Sequence, residues 1–276
     1  GVWASGGSLN TAREALAGAG TSRSSALAFG GVDPSPAVTV KTEKYNGTAW
    51  AELNDLNTPK LQLAGKGTST SALGFGGNNP VTATTESWSG TSWTEVNDLN
   101  TARSQLGGSG ASNTSALAFG GNVPPAKNET ELWNGSNWTE VNNLNTARRL
   151  LGGIGTQTAA LAIGGLDTAV TAITEVWNGT NWTEVNDLNN ARYGLVGIGT
   201  STSALATGGF ITAPSTVNES WNGTNWANTT SLPTATAEGA SAGTSTAGLY
   251  FGGAAPSVTT TTFEWYGDGT LSENID

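Results

Sequence analysis

The chain has 276 residues, with 11 basic against 21 acidic side chains and a net charge of −10. That balance argues against a nucleic-acid groove or an anionic membrane surface, both of which depend on clustered Lys and Arg. With no Cys, Met or His, disulfides, thiol nucleophiles, Ser–His arrangements and Cys/His zinc sites are excluded, and no cofactor or metal is expected.

The opening segment GVWASGGSLN has no basic n-region and no apolar run, so no signal peptide is read there, and no stretch anywhere approaches membrane-spanning length. Gly rather than Met at residue 1 marks a processed or excised chain, which leaves open a leader or a neighbouring domain outside it. GVWASGGSLNTAR at 1–13 matches SWTEVNDLNTAR at 92–103, with Trp3 aligned to Trp93 and Arg13 to Arg103. The chain therefore begins at the outermost strand of a repeating unit.

One unit, read from Arg148, shows four strand-like pieces. These are RLLGGIG (149–155), AALAIGG (159–165), TAITEVW (171–177) and NWTEV (181–185). Asn178-Gly179 between the last two is a strong hairpin signal. Read as a two-residue turn, it sets Trp177 against Thr180, Glu175 against Trp182 and Ile173 against Glu184. Glu175, Trp177 and Trp182 then share one packing face.

The unit recurs six times, with first aromatics Tyr45, Trp88, Trp133, Trp177, Trp221 and Tyr266 at spacings of 43, 45, 44, 44 and 45. The second position is Trp50, Trp93, Trp138, Trp182, Trp226 and Leu271. Glycine doublets from Gly30-Gly31 to Gly252-Gly253 close the second strand, and the first strands are rich in Gly and Ala (LAGAG, LAGKG, LVGIG). Small residues near a common axis and Trp where diverging sheets leave a gap are the taper of a radial array. The expected fold is all-β: a single domain over 1–276, a six-bladed propeller with four antiparallel strands per blade. The ring is expected to close when the N-terminal strand completes the last blade. Residues 270–276, with Leu271 in place of Trp, compete for that slot.

The glycine doublet, a Glu two residues before the aromatic, the Trp and a basic residue ahead of each first strand together resemble the kelch repeat. The Glu positions are Glu43, Glu86, Glu131, Glu175, Glu219 and Glu264; the basic ones are Arg13, Lys60, Arg103, Arg148 and Arg192, with Thr236 last. Trp usually replaces the family's Tyr, the hairpin is shorter and the copies are unusually alike. In style the repeats are also similar to repeat segments of bacteriophage virion-associated proteins, particularly marine ones. The resemblance implies a propeller but does not choose among partner-binding, enzymatic and structural roles.

The Glu residues read as buried acceptors, with Arg148 pairing a Glu of its own or a neighbouring unit. The Trp pairs read as inter-blade packing rather than sugar platforms. Candidate binding residues are the Asx pairs of the NDLN segments: Asn54, Asp55, Asn97, Asp98, Asn142, Asn143, Asn186 and Asp187. They cap turns locally or form a polar ring able to meet sugar hydroxyls. Asn46, Asn113, Asn128, Asn134, Asn137, Asn178, Asn181, Asn218, Asn222 and Asn228 begin N-x-Ser/Thr sequons, which turn chemistry also explains. No asymmetric pair of carboxylates stands out, so no catalysis is expected. Length variation and prolines concentrate between the Gly doublet and the first aromatic, which marks one exposed interaction face. The expected role is a non-catalytic structural or binding module on a virion or other extracellular surface. Its partner would be a protein of a larger assembly or a surface glycan. A lectin and an intracellular adaptor are the alternatives.

Overall fold

The computed structural model describes residues 1–254, 256–267 and 269. Among these the regular elements are β-strands, arranged as six four-stranded antiparallel sheets. The fourth blade shows the plan: Gly152–Gly155, Ala160–Ile163, Thr174–Trp177 and Trp182–Val185 follow one another as a simple meander. Its second strand is buried throughout, because blades cover both of its faces, whereas Thr183 and Glu184 of the outer strand are exposed. Inner strands of neighbouring blades pack on each other, and those of the first and sixth blades meet to complete the circle. Only glycine permits that approach at Gly153, where a Cβ would stand 2.2 Å from the carbonyl oxygen of Gly108.

The core lies between blades. In the contact between the third and fourth, Leu117, Phe119, Leu144 and Leu151 pack with Ala160, Ala162, Trp177 and Trp182. Each outer Trp reaches back to the preceding blade: the indole N–H groups of Trp50, Trp93, Trp138, Trp182 and Trp226 donate to Thr262, Thr42, Thr85, Thr130 and Thr174 at 2.9–3.0 Å. These tryptophans are buried by packing and also hydrogen-bonded, as a buried indole requires.

Ring closure follows the expected route. Val2–Ser5 pairs with Thr262–Tyr266, placing Trp3 opposite Trp265 with ring centroids 5.0 Å apart. Trp3 donates to the Thr230 carbonyl instead of a threonine hydroxyl, because Asn218 occupies the corresponding position of the fifth blade. The competing stretch around Leu271 lies outside the described residues.

Two expectations need correction. The hairpin turn spans four residues, so Trp177 pairs with Trp182 and Glu175 with Glu184. Asn178 does not occupy a turn centre. Its side-chain oxygen accepts from the N–H groups of Thr180 and Asn181 at 2.9 Å each, while Gly179 takes φ +94°. This is an Asx turn. Second, the sixth copy shifts by one residue. Gly248 pairs with Trp265 where Ala160 pairs with Trp177, so Trp265 rather than Tyr266 is its first aromatic. Phe263, opposite Tyr250, therefore takes the Glu position, and Glu264 turns to the other face.

Candidate interaction face

Each of the first five blades encloses a buried ion pair: Arg13–Glu43, Lys60–Glu86, Arg103–Glu131, Arg148–Glu175 and Arg192–Glu219, at 2.6–3.1 Å. Basic residue and carboxylate belong to the same blade. The second carboxylate oxygen of Glu175 accepts from the backbone and side-chain N–H groups of Asn145, at 2.8 and 2.7 Å. Asn10, Asn57 and Asn189 hold Glu43, Glu86 and Glu219 in the same way. Burial pulls the guanidinium pKa of Arg13, Arg103 and Arg148 down, with the paired Glu opposing it. For Arg192 the result is about 10, so it stays charged at neutral pH. These carboxylates are spent on the fold: they are enclosed and paired rather than turned toward a ligand. In the sixth blade Thr236, Tyr250 and Phe263 fill the equivalent space, with Thr236 hydrogen-bonded to the Tyr250 hydroxyl.

The NDLN segments divide their labour by position. Asp55, Asp98, Asn143 and Asp187 accept from the backbone N–H of Thr42, Thr85, Thr130 and Thr174 in their own blade. Asn54, Asn97, Asn142 and Asn186 are exposed, yet their amides donate to the hairpin carbonyls of Thr91, Ser136, Thr180 and Thr224 in the next blade. The pairs thus link the outer rims of adjacent blades, and each unit repeats the same bonds.

The loops that follow the Gly doublets lie at the same end of the molecule as these segments. Short pairings join the two loop classes, such as Ser104 with Asn122 and Tyr193 with Phe210. At the centre of this end Ala15, Gln62, Gln105, Leu150, Gly194 and Glu238 all adopt φ of +52° to +62°. Each donates its N–H to the carbonyl of the equivalent residue in the blade before, at 2.7–2.8 Å, with Ala15 donating to Glu238. The result is a closed circle of six backbone hydrogen bonds around the channel mouth. Burial, then repulsion from Glu14, raises the Glu238 pKa; burial raises that of Glu14.

Between this circle and the rim, the loops carry the exposed large hydrophobics among the described residues, Val81 (36% exposed) and Ile211 (40%). The same loops carry Pro34, Pro80, Pro125 and Pro214, together with longer side chains such as Lys127, Glu129 and Phe210. Among the described residues no group of three or more His, Cys, Asp or Glu is arranged to hold a metal ion, and no helix is long and apolar enough to cross a membrane.

The second Asn of each NDLN, the threonines that receive the indole N–H groups and the hydrogen-bonded circle were not singled out from the sequence. A fixed signal existed for the first: Asn145 stands three residues before Arg148 and both meet Glu175, a spacing shared by Asn57, Asn100 and Asn189. No protein-family model matches the chain, and a search of curated proteins finds no match.

Proposed function

We propose that the chain is a kelch-type, non-catalytic binding or structural module, displayed on a virion or other extracellular surface and contacting a protein partner through the loops after the Gly doublets. The observation that carries this reading is where exposed apolar side chains occur. Val81 and Ile211 both sit on those loops, Val81 directly after Pro80 and Ile211 between Phe210 and Pro214. They belong to the second and fifth blades, across the ring from each other, so a protein partner that covers both would span the loop face. A repeated lectin would need the same free polar groups in several blades, but the amides of Asn54, Asn97, Asn142 and Asn186 already serve the neighbouring hairpins.

Antibodies raised against the folded chain, applied to intact particles and cells of the source, test the reading. Surface labelling is expected, and blocking by antibodies specific for the Val81 and Ile211 loops should accompany loss of the partner contact. A protein confined to the cell interior overturns it. A glycan array that returns one saccharide, with binding lost on substitution of Asn142 but retained in Val81→Asp, favours the lectin.

A further inference from the structure

The six inner strands are Ala17–Ser22, Ala64–Thr68, Gly107–Ser112, Gly152–Gly155, Val196–Gly199 and Ala240–Gly243, and together they carry one titratable side chain, Lys66. Its repeat equivalents are Ala19, Ser109, Ile154, Ile198 and Ala242. The lysine stem crosses the inner edge of the third blade at Gly108, where a Cβ would lie 3.5 Å from Lys66 Cγ. Its ammonium then donates to the Gly153 carbonyl of the fourth blade at 3.0 Å.

That carbonyl is its only hydrogen-bond acceptor among the described residues, whereas an ammonium has three donors. No carboxylate faces it. The strands packed against Ala64–Thr68, namely Ala17–Ser22, Ser71–Phe75, Gly107–Ser112 and Ser115–Phe119, hold no titratable group, nor do the inner strands across the channel. Glu14 and Glu238 belong to the opposite mouth. Burial alone pushes the Lys66 pKa down to about 8. Lys66 is half-buried, and a charge drawn partly out of water without a counterion is costly, so an arriving anion gains by pairing with it.

Beside Lys66 the channel widens to a cavity of about 230 Å³ that opens at the end away from the hydrogen-bonded circle. Its surface is mainly apolar, bordered by Ala19, Ile154, Ile198 and Ala242, and threonine hydroxyls such as Thr156 and Thr200 lie at the rim. We propose that this cavity binds a small monocarboxylate with a short aliphatic body, its carboxylate on Lys66 Nζ and its carbon chain against the apolar wall. One ammonium matches one negative charge. A phosphate, with more charge and more oxygens, would need additional donors, and chloride would leave the apolar wall unused. This site is independent of the loop face and of whatever that face contacts.

Thermal unfolding of the full chain in sodium butyrate, at constant ionic strength against sodium chloride or phosphate, tests the proposal. Butyrate should raise the Tm at pH 6.5, as a ligand of the native state must, and should do so more than either comparator. Affinity should fall about ten-fold per pH unit above about 8, as the ammonium is lost. Lys66→Met keeps the stem, and its Tm should not respond. An equal response in Lys66→Met, an equal response to chloride or phosphate, or no response of the wild type overturns the assignment. Should Lys66→Met fail to fold, carbon-labelled lysine in the wild type decides. The Lys66 Cε resonance should shift with butyrate while those of Lys41, Lys44, Lys60 and Lys127 stay, and an unmoved Lys66 overturns the proposal.

Discussion

Arg148 carries its charge into a site with no solvent exposure, and what makes this tolerable is Glu175 at 2.6 Å together with the Ala162 carbonyl. Removing one partner strands the other. Arg148→Met is therefore expected to cost about 3–5 kcal/mol, read from urea unfolding. The sixth blade shows a neutral solution to the same space, with Thr236, Tyr250 and Phe263 at positions equivalent to Arg148, Ala162 and Glu175. The triple change Arg148→Thr, Ala162→Tyr, Glu175→Phe should accordingly recover most of the loss, since apolar replacement of a whole buried pair is often neutral. A triple variant less stable than Arg148→Met would show that the pair is worth more than its packing equivalent. Glu238 makes a separate prediction. Its carboxyl is raised by burial and by Glu14, so the folded state holds a proton that the unfolded state releases. The unfolded form thus gains on the native one as pH rises through that range, and Glu238 lowers stability at neutral pH relative to acid. Glu238→Gln should raise the Tm at pH 7, change it little near pH 4 and flatten the profile between.

At the level of the hairpin, the Asn-Gly signal located the connection correctly and misjudged its length. Two-residue and four-residue turns differ by an even number, so side chains keep their faces while their partners change. That is why Glu175, Trp177 and Trp182 were legible as one face although their pairing was not. The shift in the sixth copy is the opposite case. Adjacent Trp265 and Tyr266 follow Glu264, and reading Tyr266 as the aromatic aligns Glu264 falsely. An odd displacement reverses faces, so Glu264 instead meets the hydroxyls of Tyr45 and Tyr266 at 2.6 and 2.7 Å. Roles within NDLN were legible as turn chemistry but not as links between blades, because their acceptors lie 37–39 residues away. The Asx turn is testable by itself. Asn178→Ala removes two side-chain acceptor bonds and should cost about 1–2 kcal/mol, whereas Asn178→Asp, which retains the acceptor, should cost less. Equal losses in chemical-denaturation midpoints would remove that role from the side chain.

For the whole molecule the decisive feature is that repetition alone leaves an open ring, and closure is assigned to one short strand. Val2–Ser5 contributes no more backbone pairing than any other outer strand, but it completes the sixth sheet from the end of the chain that runs on into the first. Its Trp3 packs on Trp265 within a buried cluster that includes Leu205, Leu232 and Phe263 and spans the fifth and sixth blades. The repeat pattern made this legible from the start, because the segment around Trp3 matches an outer strand that otherwise lacks its own blade. The hydrogen-bonded circle at the channel mouth was not legible, since it arises only when six equivalent residues face one axis. Circle and strand close the ring independently, at the centre and at the rim. Deleting residues 1–5 should consequently leave a folded but weakened ring. Loss of the Trp3 packing alone is expected to cost about 3–5 kcal/mol, and the bared edge of Thr262–Tyr266 offers unpaired backbone to other chains. Lower Tm and concentration-dependent self-association in light scattering are the expected readouts. A synthetic peptide of residues 1–10 added in excess should restore the Tm and suppress association, while the same peptide carrying Trp3→Ala should do neither. A truncated chain that stays monomeric with an unchanged Tm would mean that the central circle closes the propeller unaided.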